Sequence, residues 1–120
     1  MTDSVVHESV ELTQIYDLLY SIGITANYSG FFYTSYAVYL AARQPERLLL
    51  VTKWLYPEVA GQYHKAWKNV ERGIRTVAGL AWKEHRGRLE ALARCALPQK
   101  PGASKFIAIL VHALTSNRAA

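Results

Sequence analysis

Between residues 12 and 117 apolar side chains recur at intervals of three and four, and no segment alternates cleanly over the length of a strand. That spacing matches the 3.6-residue helical repeat and not the two-residue repeat of a sheet, so the expected fold is all-α. A chain of 120 residues with 51% apolar and 19% charged residues suits one compact multi-helix domain over 1–120. Residues 1–11 are expected to form a flexible N-terminal segment.

Helix boundaries follow from the punctuation. The pattern predicts helices at about Leu12–Ile22, closed by Gly23, and Phe31–Ala42, where Tyr33, Tyr36, Ala37 and Leu40 share a stripe. A third is expected from Pro45 to Tyr56, and a short one from Pro57 to about His64. A longer helix is expected over Ala66–Glu84, followed by Arg88–Ala96 and Ser104–Asn117, with Ser104 as N-cap. The uncharged stretch Leu18–Ala42 is long enough to raise a membrane span. It contains Gly23, Asn27, Ser29, Gly30 and five tyrosines, which favours two soluble helices and a turn.

Charge is unevenly placed. The net charge is +5, yet residues 1–42 hold four acids and no Lys or Arg, so residues 43–120 carry fourteen cations against five acids, or +9. Such a region is suited to nucleic acid or another anionic surface. Segment 57–84 has the size and order of a helix-turn-helix. On its second helix Val70, Ile74, Val77, Ala78 and Ala81 fall within an arc of roughly 100°. Lys65, Lys68, Arg72, Arg75, Gly79 and Lys83 lie opposite. A face of that kind can enter a major groove and reach phosphates on both walls. A solvated lysine-bearing helix would show the same pattern, and the pattern alone does not choose between them.

The residues themselves resemble a known family. The string Val51-Thr52-Lys53-Trp54-Leu55-Tyr56-Pro57-Glu58-Val59-Ala60, then Tyr63, Val70-Glu71-Arg72-Gly73-Ile74-Arg75 and Ala81-Trp82, resembles the C-terminal DNA-binding effector domain of the sporulation stage zero protein A response regulators. Ile22-Gly23-Ile24-Thr25-Ala26, Gly30-Phe31-Phe32-Tyr33 and Lys100-Pro101 through Ser104-Lys105-Phe106-Ile107-Ala108 agree with it in register.

The resemblance implies a transcriptional regulator that recognises a short box near promoters through the helix from Ala66. Glu71, Arg72 and Arg75 match the family's base-facing residues, and Lys53 matches a phosphate contact. Arginine can donate two hydrogen bonds to guanine, and a carboxylate can accept one from cytosine. Thr76 stands where the family usually has histidine, and Asn69 where it often has arginine, so both are expected to alter box preference. Gly61-Gln62 replaces two lysines while Lys65 and Lys68 replace Thr and Ser, which relocates phosphate contacts to Lys65, Lys68 and Lys83. Tandem boxes imply pairing on DNA by a chain that is monomeric in solution. RNA polymerase sigma factor is a candidate partner. The family's receiver domain is not part of this sequence, which fits either a piece of a longer protein or a stand-alone effector.

Other residues are expected to carry no chemistry. His7, His64, His85 and His112 lack ligand spacing, so no metal or other cofactor is expected. Cys95, the one cysteine, sits among Leu92, Ala93, Ala96 and Leu97 and is expected to be buried as a small hydrophobe. Tyr28, Tyr33, Tyr36 and Tyr39 are expected to pack rather than stack on bases, and Trp67 is expected to cap the core rather than lie against a DNA backbone. No triad, carboxylate pair or phosphate loop appears, so no enzyme is expected. A single cysteine and the absence of a signal-peptide pattern point to the cytoplasm. The alternative function is a basic interaction module that meets an acidic protein or anionic surface without sequence specificity.

Overall fold

Helices form wherever the three-and-four spacing is sustained. The computed structural model describes residues 10–119, with side chains to Ser116. Most of the expected flexible segment, residues 1–9, lies outside the described residues, whereas Val10 packs into the core at 1% exposure. The elements are Leu12–Ser21 (α1), Ser29–Arg43 (α2), a 3₁₀ turn Pro45–Leu49, Val51–Trp54 (α3), Tyr56–Tyr63 (α4), Trp67–Glu84 (α5), Arg86–Ala93 (α6) and Ala103–Ala119 (α7). No strand occurs among the described residues, and the fold is all-α.

α2 is the central element. Gly30, Phe31, Tyr33, Thr34, Ser35, Ala37, Val38, Leu40 and Ala41 are all buried, because the helix packs against α1, α4, α5 and α7 at once. A helix covered on several sides needs small residues where neighbours come close. Gly30 is the extreme case: a Cβ there would overlap the carbonyl oxygen of Gly73 and lie 2.9 Å from Val77. At Gly73 a Cβ would lie 2.8 Å from the Tyr33 ring. The backbones of α2 and α5 therefore touch directly at this crossing. The tyrosines pack as expected: Tyr33 and Tyr36 meet Tyr63 of α4 edge-on at 5.5 and 6.3 Å.

α1 ends as its sequence predicts. Gly23 adopts φ +85°, a left-handed conformation that suits glycine. Its N–H donates to Tyr20 and that of Ile24 to Leu19, each at 3.0 Å, satisfying carbonyls of the last turn.

Four expectations give way in the structure. The single helix expected over Pro45–Tyr56 is broken at Leu50 (φ −152°, ψ 80°) and again at Leu55 (φ −128°, ψ −59°). Arg47 holds this bent path, donating to Gln44 Oε1 at 2.9 Å, to the Trp54 carbonyl at 2.7 Å and to Glu58 Oε1 at 2.6 Å. The sixth helix begins two residues earlier than expected and stops at Ala93, three residues early, where Arg94 turns left-handed at φ 60°. That turn carries Cys95 out to solvent, so the cysteine is exposed and Leu97 takes the buried place instead. Ser104 is not the N-cap of the last helix. It lies within the first turn of α7, whose opening bond runs from Phe106 N–H to the Gly102 carbonyl at 3.0 Å.

Candidate nucleic-acid interface

α4 and α5 form the expected helix-turn-helix. His64 closes α4 in the left-handed conformation, and Lys65 N–H donates back to the Ala60 carbonyl at 3.0 Å. Two residues later α5 begins. Its stripe Val70, Ile74, Val77, Ala78 and Ala81 is wholly buried. Lys65, Lys68, Arg72, Arg75 and Lys83 are exposed on the other side. Val59 and Ala60 of α4 are buried as well, with Tyr56 stacked on Trp67 at 6.3 Å and 16° between planes. Trp67 thus caps the core, as expected, and Lys68 Nζ lies 5.9 Å from the centre of its ring.

The exposed face of α5 has two flanks. Lys65, Asn69, Arg72 and Thr76 line one wall of a recess of about 320 Å³ whose other wall is Tyr28, Ser29 and Tyr33. Thr76 Oγ1 donates to the Arg72 carbonyl at 2.9 Å, which leaves the Arg72 side chain itself free of that hydroxyl. On the flank toward α4, Arg75 Nη1 lies 3.6 Å from Glu71 Oε1, with the two side chains 50% and 37% exposed. Tyr56 lies behind this pair. Burial first, and the nearby Glu71 carboxylate second, push its hydroxyl up to about 12, while Arg75 pulls the other way. Lys53 stands exposed at the end of α3.

Two features of this surface escape a reading of the linear sequence. Gly79 does not face open solvent: a Cβ there would lie 3.2 Å from Cδ of Lys100, whose stem crosses the helix and brings one more cation to this side. The start of α2, Tyr28 and Ser29, also stands beside α5. The only hint of that neighbour is a glycine in mid-helix at position 73, which signals a close approach.

A surface with a buried stripe on one side and cations on the other agrees with a match found over most of the chain. The family model described as sporulation initiation factor Spo0A C terminal covers residues 15–114. The chain belongs to that family. The Spo0A C-terminal domain is a DNA-binding effector domain of transcription regulators rather than an enzyme, so the exposed basic face belongs to a DNA-binding regulator. Among the described residues no helix is long and apolar enough to cross a membrane.

Proposed function

We propose that this chain is a sequence-specific double-stranded DNA-binding transcriptional regulator that lays α5 in the major groove of a short promoter box. Glu71, Arg72 and Arg75 read base edges, with Asn69 and Thr76 tuning preference. Lys53, Lys65, Lys68 and Lys83 hold phosphates on either side. The observation that carries this reading is the opposition, on one 18-residue helix, of a fully buried stripe and an exposed cationic face.

The Glu71–Arg75 pair does not oppose it. An exposed pair one helical turn apart is worth about 0.3–0.5 kcal/mol, whereas a bidentate arginine–guanine contact is worth about 1–3 kcal/mol. Arg75 therefore leaves Glu71 when a guanine is presented, and Glu71 becomes available to a cytosine amino group. Arg72 suits the groove floor because its side chain is exposed opposite the stripe. Lys68, one turn nearer the helix start, lacks the planar fork and suits phosphate.

Titrating two variants against a family-type box and against shuffled DNA tests these roles. Arg72→Ala is expected to cost about 1–3 kcal/mol on the box and to relax discrimination at one base pair. Lys68→Ala is expected to weaken both DNAs alike and lower the salt slope by about one unit. Binding that ignored sequence in the unmodified chain would instead favour a basic module for acidic partners. Pairing of two copies on tandem boxes, contact with RNA polymerase sigma factor and residence with the chromosome in the cytoplasm extend the same reading.

A further inference from the structure

Lys100 belongs to the loop between α6 and α7, yet its side chain lies on α5. A Cβ placed at Gly79 would lie 3.2 Å from Cδ of Lys100, 3.5 Å from Nζ and 3.9 Å from Cε, so the outer half of the side chain runs over the glycine of the cationic face. Seven residues separate Gly79 from Arg72. At about 100° and about 1.5 Å per residue, the two positions point within about 20° of each other and stand about 10 Å apart along the helix axis. The row Lys65, Lys68, Arg72 and Lys83, all exposed, is thus interrupted at Gly79 in the sequence and completed there in space by Lys100.

The loop that carries Lys100 is fastened on both sides of it. Leu97 is 1% exposed, its N–H donates to Glu90 Oε2 at 2.6 Å, and its carbonyl accepts from Arg86 Nη2 at 2.7 Å. Pro101 is buried as well, and Pro98, Gln99 and Lys100 between these anchors are exposed. A lysine on a loose loop loses both backbone and rotamer freedom when it meets a ligand, whereas here the backbone is already held and the stem already rests on α5. Bringing another cation onto a face that is already basic costs self-repulsion, which an anion lying against that face relieves.

We propose that Lys100 grips a DNA backbone phosphate beside the far half of α5, which makes the loop between α6 and α7 a second DNA-contacting element. This inference rests on the reading of α5 as the helix that enters the major groove. An 18-residue helix is about 27 Å long, whereas the groove is about 12 Å wide and curves away around the duplex, so only part of α5 can lie on its floor. With Arg72 at the floor, a point about 10 Å further along the axis comes level with the phosphates of the groove edge, and that is where Lys100 is held. A compact ammonium without a planar fork suits a phosphate better than a base edge.

Duplex affinity of the whole chain, measured as a function of salt, tests the proposal. Lys100→Met keeps an unbranched stem over Gly79 and removes the charge. It is expected to weaken binding to a family-type box and to shuffled DNA alike, roughly tenfold near 0.1 M salt, and to lower the slope of log affinity against log salt by about one unit. Lys100→Arg retains the charge and is expected to keep the full slope. Urea unfolding is expected to show both variants as stable as the unmodified chain, which separates a lost contact from a damaged fold. An unchanged slope in Lys100→Met would overturn the proposal and leave the side chain a packing role alone, and a change in base preference would overturn it as well. Either failure would leave the reading of α5 standing, provided Lys68→Ala still lowered the slope. Binding of the unmodified chain that ignored salt would overturn both.

Discussion

Replacing Gly30 with alanine sets two effects against each other. In an open helical position Gly→Ala stabilises by about 0.5–1 kcal/mol, because alanine restricts the unfolded chain and favours the helix. At Gly30 the added methyl would overlap the Gly73 carbonyl oxygen and press Val77 at 2.9 Å. Forcing an extra carbon into a packed crossing costs about 1–3 kcal/mol, and the upper part of that range applies where the atom met is backbone. The net expectation for Gly30→Ala is a loss of about 1–2 kcal/mol. At roughly 4–8 °C per kcal/mol, that lowers Tm by several degrees. Gly61→Ala is the matched control, since nothing lies within 4 Å of a Cβ there, and it is expected to gain about 0.5–1 kcal/mol. Urea unfolding followed by circular dichroism measures both. A Gly30→Ala variant as stable as the unmodified chain would refute the direct backbone contact of α2 with α5.

Three further expectations concern single hydrogen-bonded or buried groups. The Glu90 carboxyl is held below the usual carboxylate range, first by the Leu97 N–H at 2.6 Å and also by Arg86, so its stabilisation is present above about pH 4.3 and is lost as pH falls through the lowered value. Glu90→Gln should flatten that acid-side loss of stability in unfolding measured from pH 6 down to about pH 2. Tyr56 is raised to about 12, so its contribution is full below about pH 10 and is lost as pH rises toward 12; Tyr56→Phe should remove that alkaline slope. The Thr34 hydroxyl is buried without a hydrogen-bond partner, so Thr34→Val should leave stability unchanged or raise it by up to about 1 kcal/mol, as denaturant midpoints would show.

Much of the architecture is legible in the linear sequence where one helix face decides the outcome. Val70, Ile74, Val77, Ala78 and Ala81 are read from period alone and are all buried, and Gly23 closes α1 where its position predicts. Legibility fails where a distant side chain fixes the backbone. The breaks at Leu50 and Leu55 depend on Arg47 reaching Glu58, which no local pattern announces. In the sequence Cys95 belongs to an apolar run, but one left-handed residue at Arg94 turns it outward. The candidate site divides in the same way. Which side of α5 faces outward follows from periodicity, whereas Tyr28, Ser29 and Lys100 reach that face only through tertiary packing.

The Gly30–Gly73 crossing also constrains how a recognition surface of this kind can change. Side chains at an ordinary helix contact act as bearings, and a helix can roll or slide by an ångström as they switch rotamers. Two backbones in contact have no such layer, so α5 cannot rotate about its axis without dislodging α2, which also packs against α1, α4, α7 and the 3₁₀ turn. If α5 reads a duplex as proposed, its face is set in place before the duplex arrives, and little ordering of α5 is needed on association. Adjustment falls to the DNA, through bending and groove width, and to the exposed side chains themselves. On the proposed reading, substitutions at Asn69 and Thr76 would alter preference one base pair at a time, while the angle at which the helix is presented stays constant.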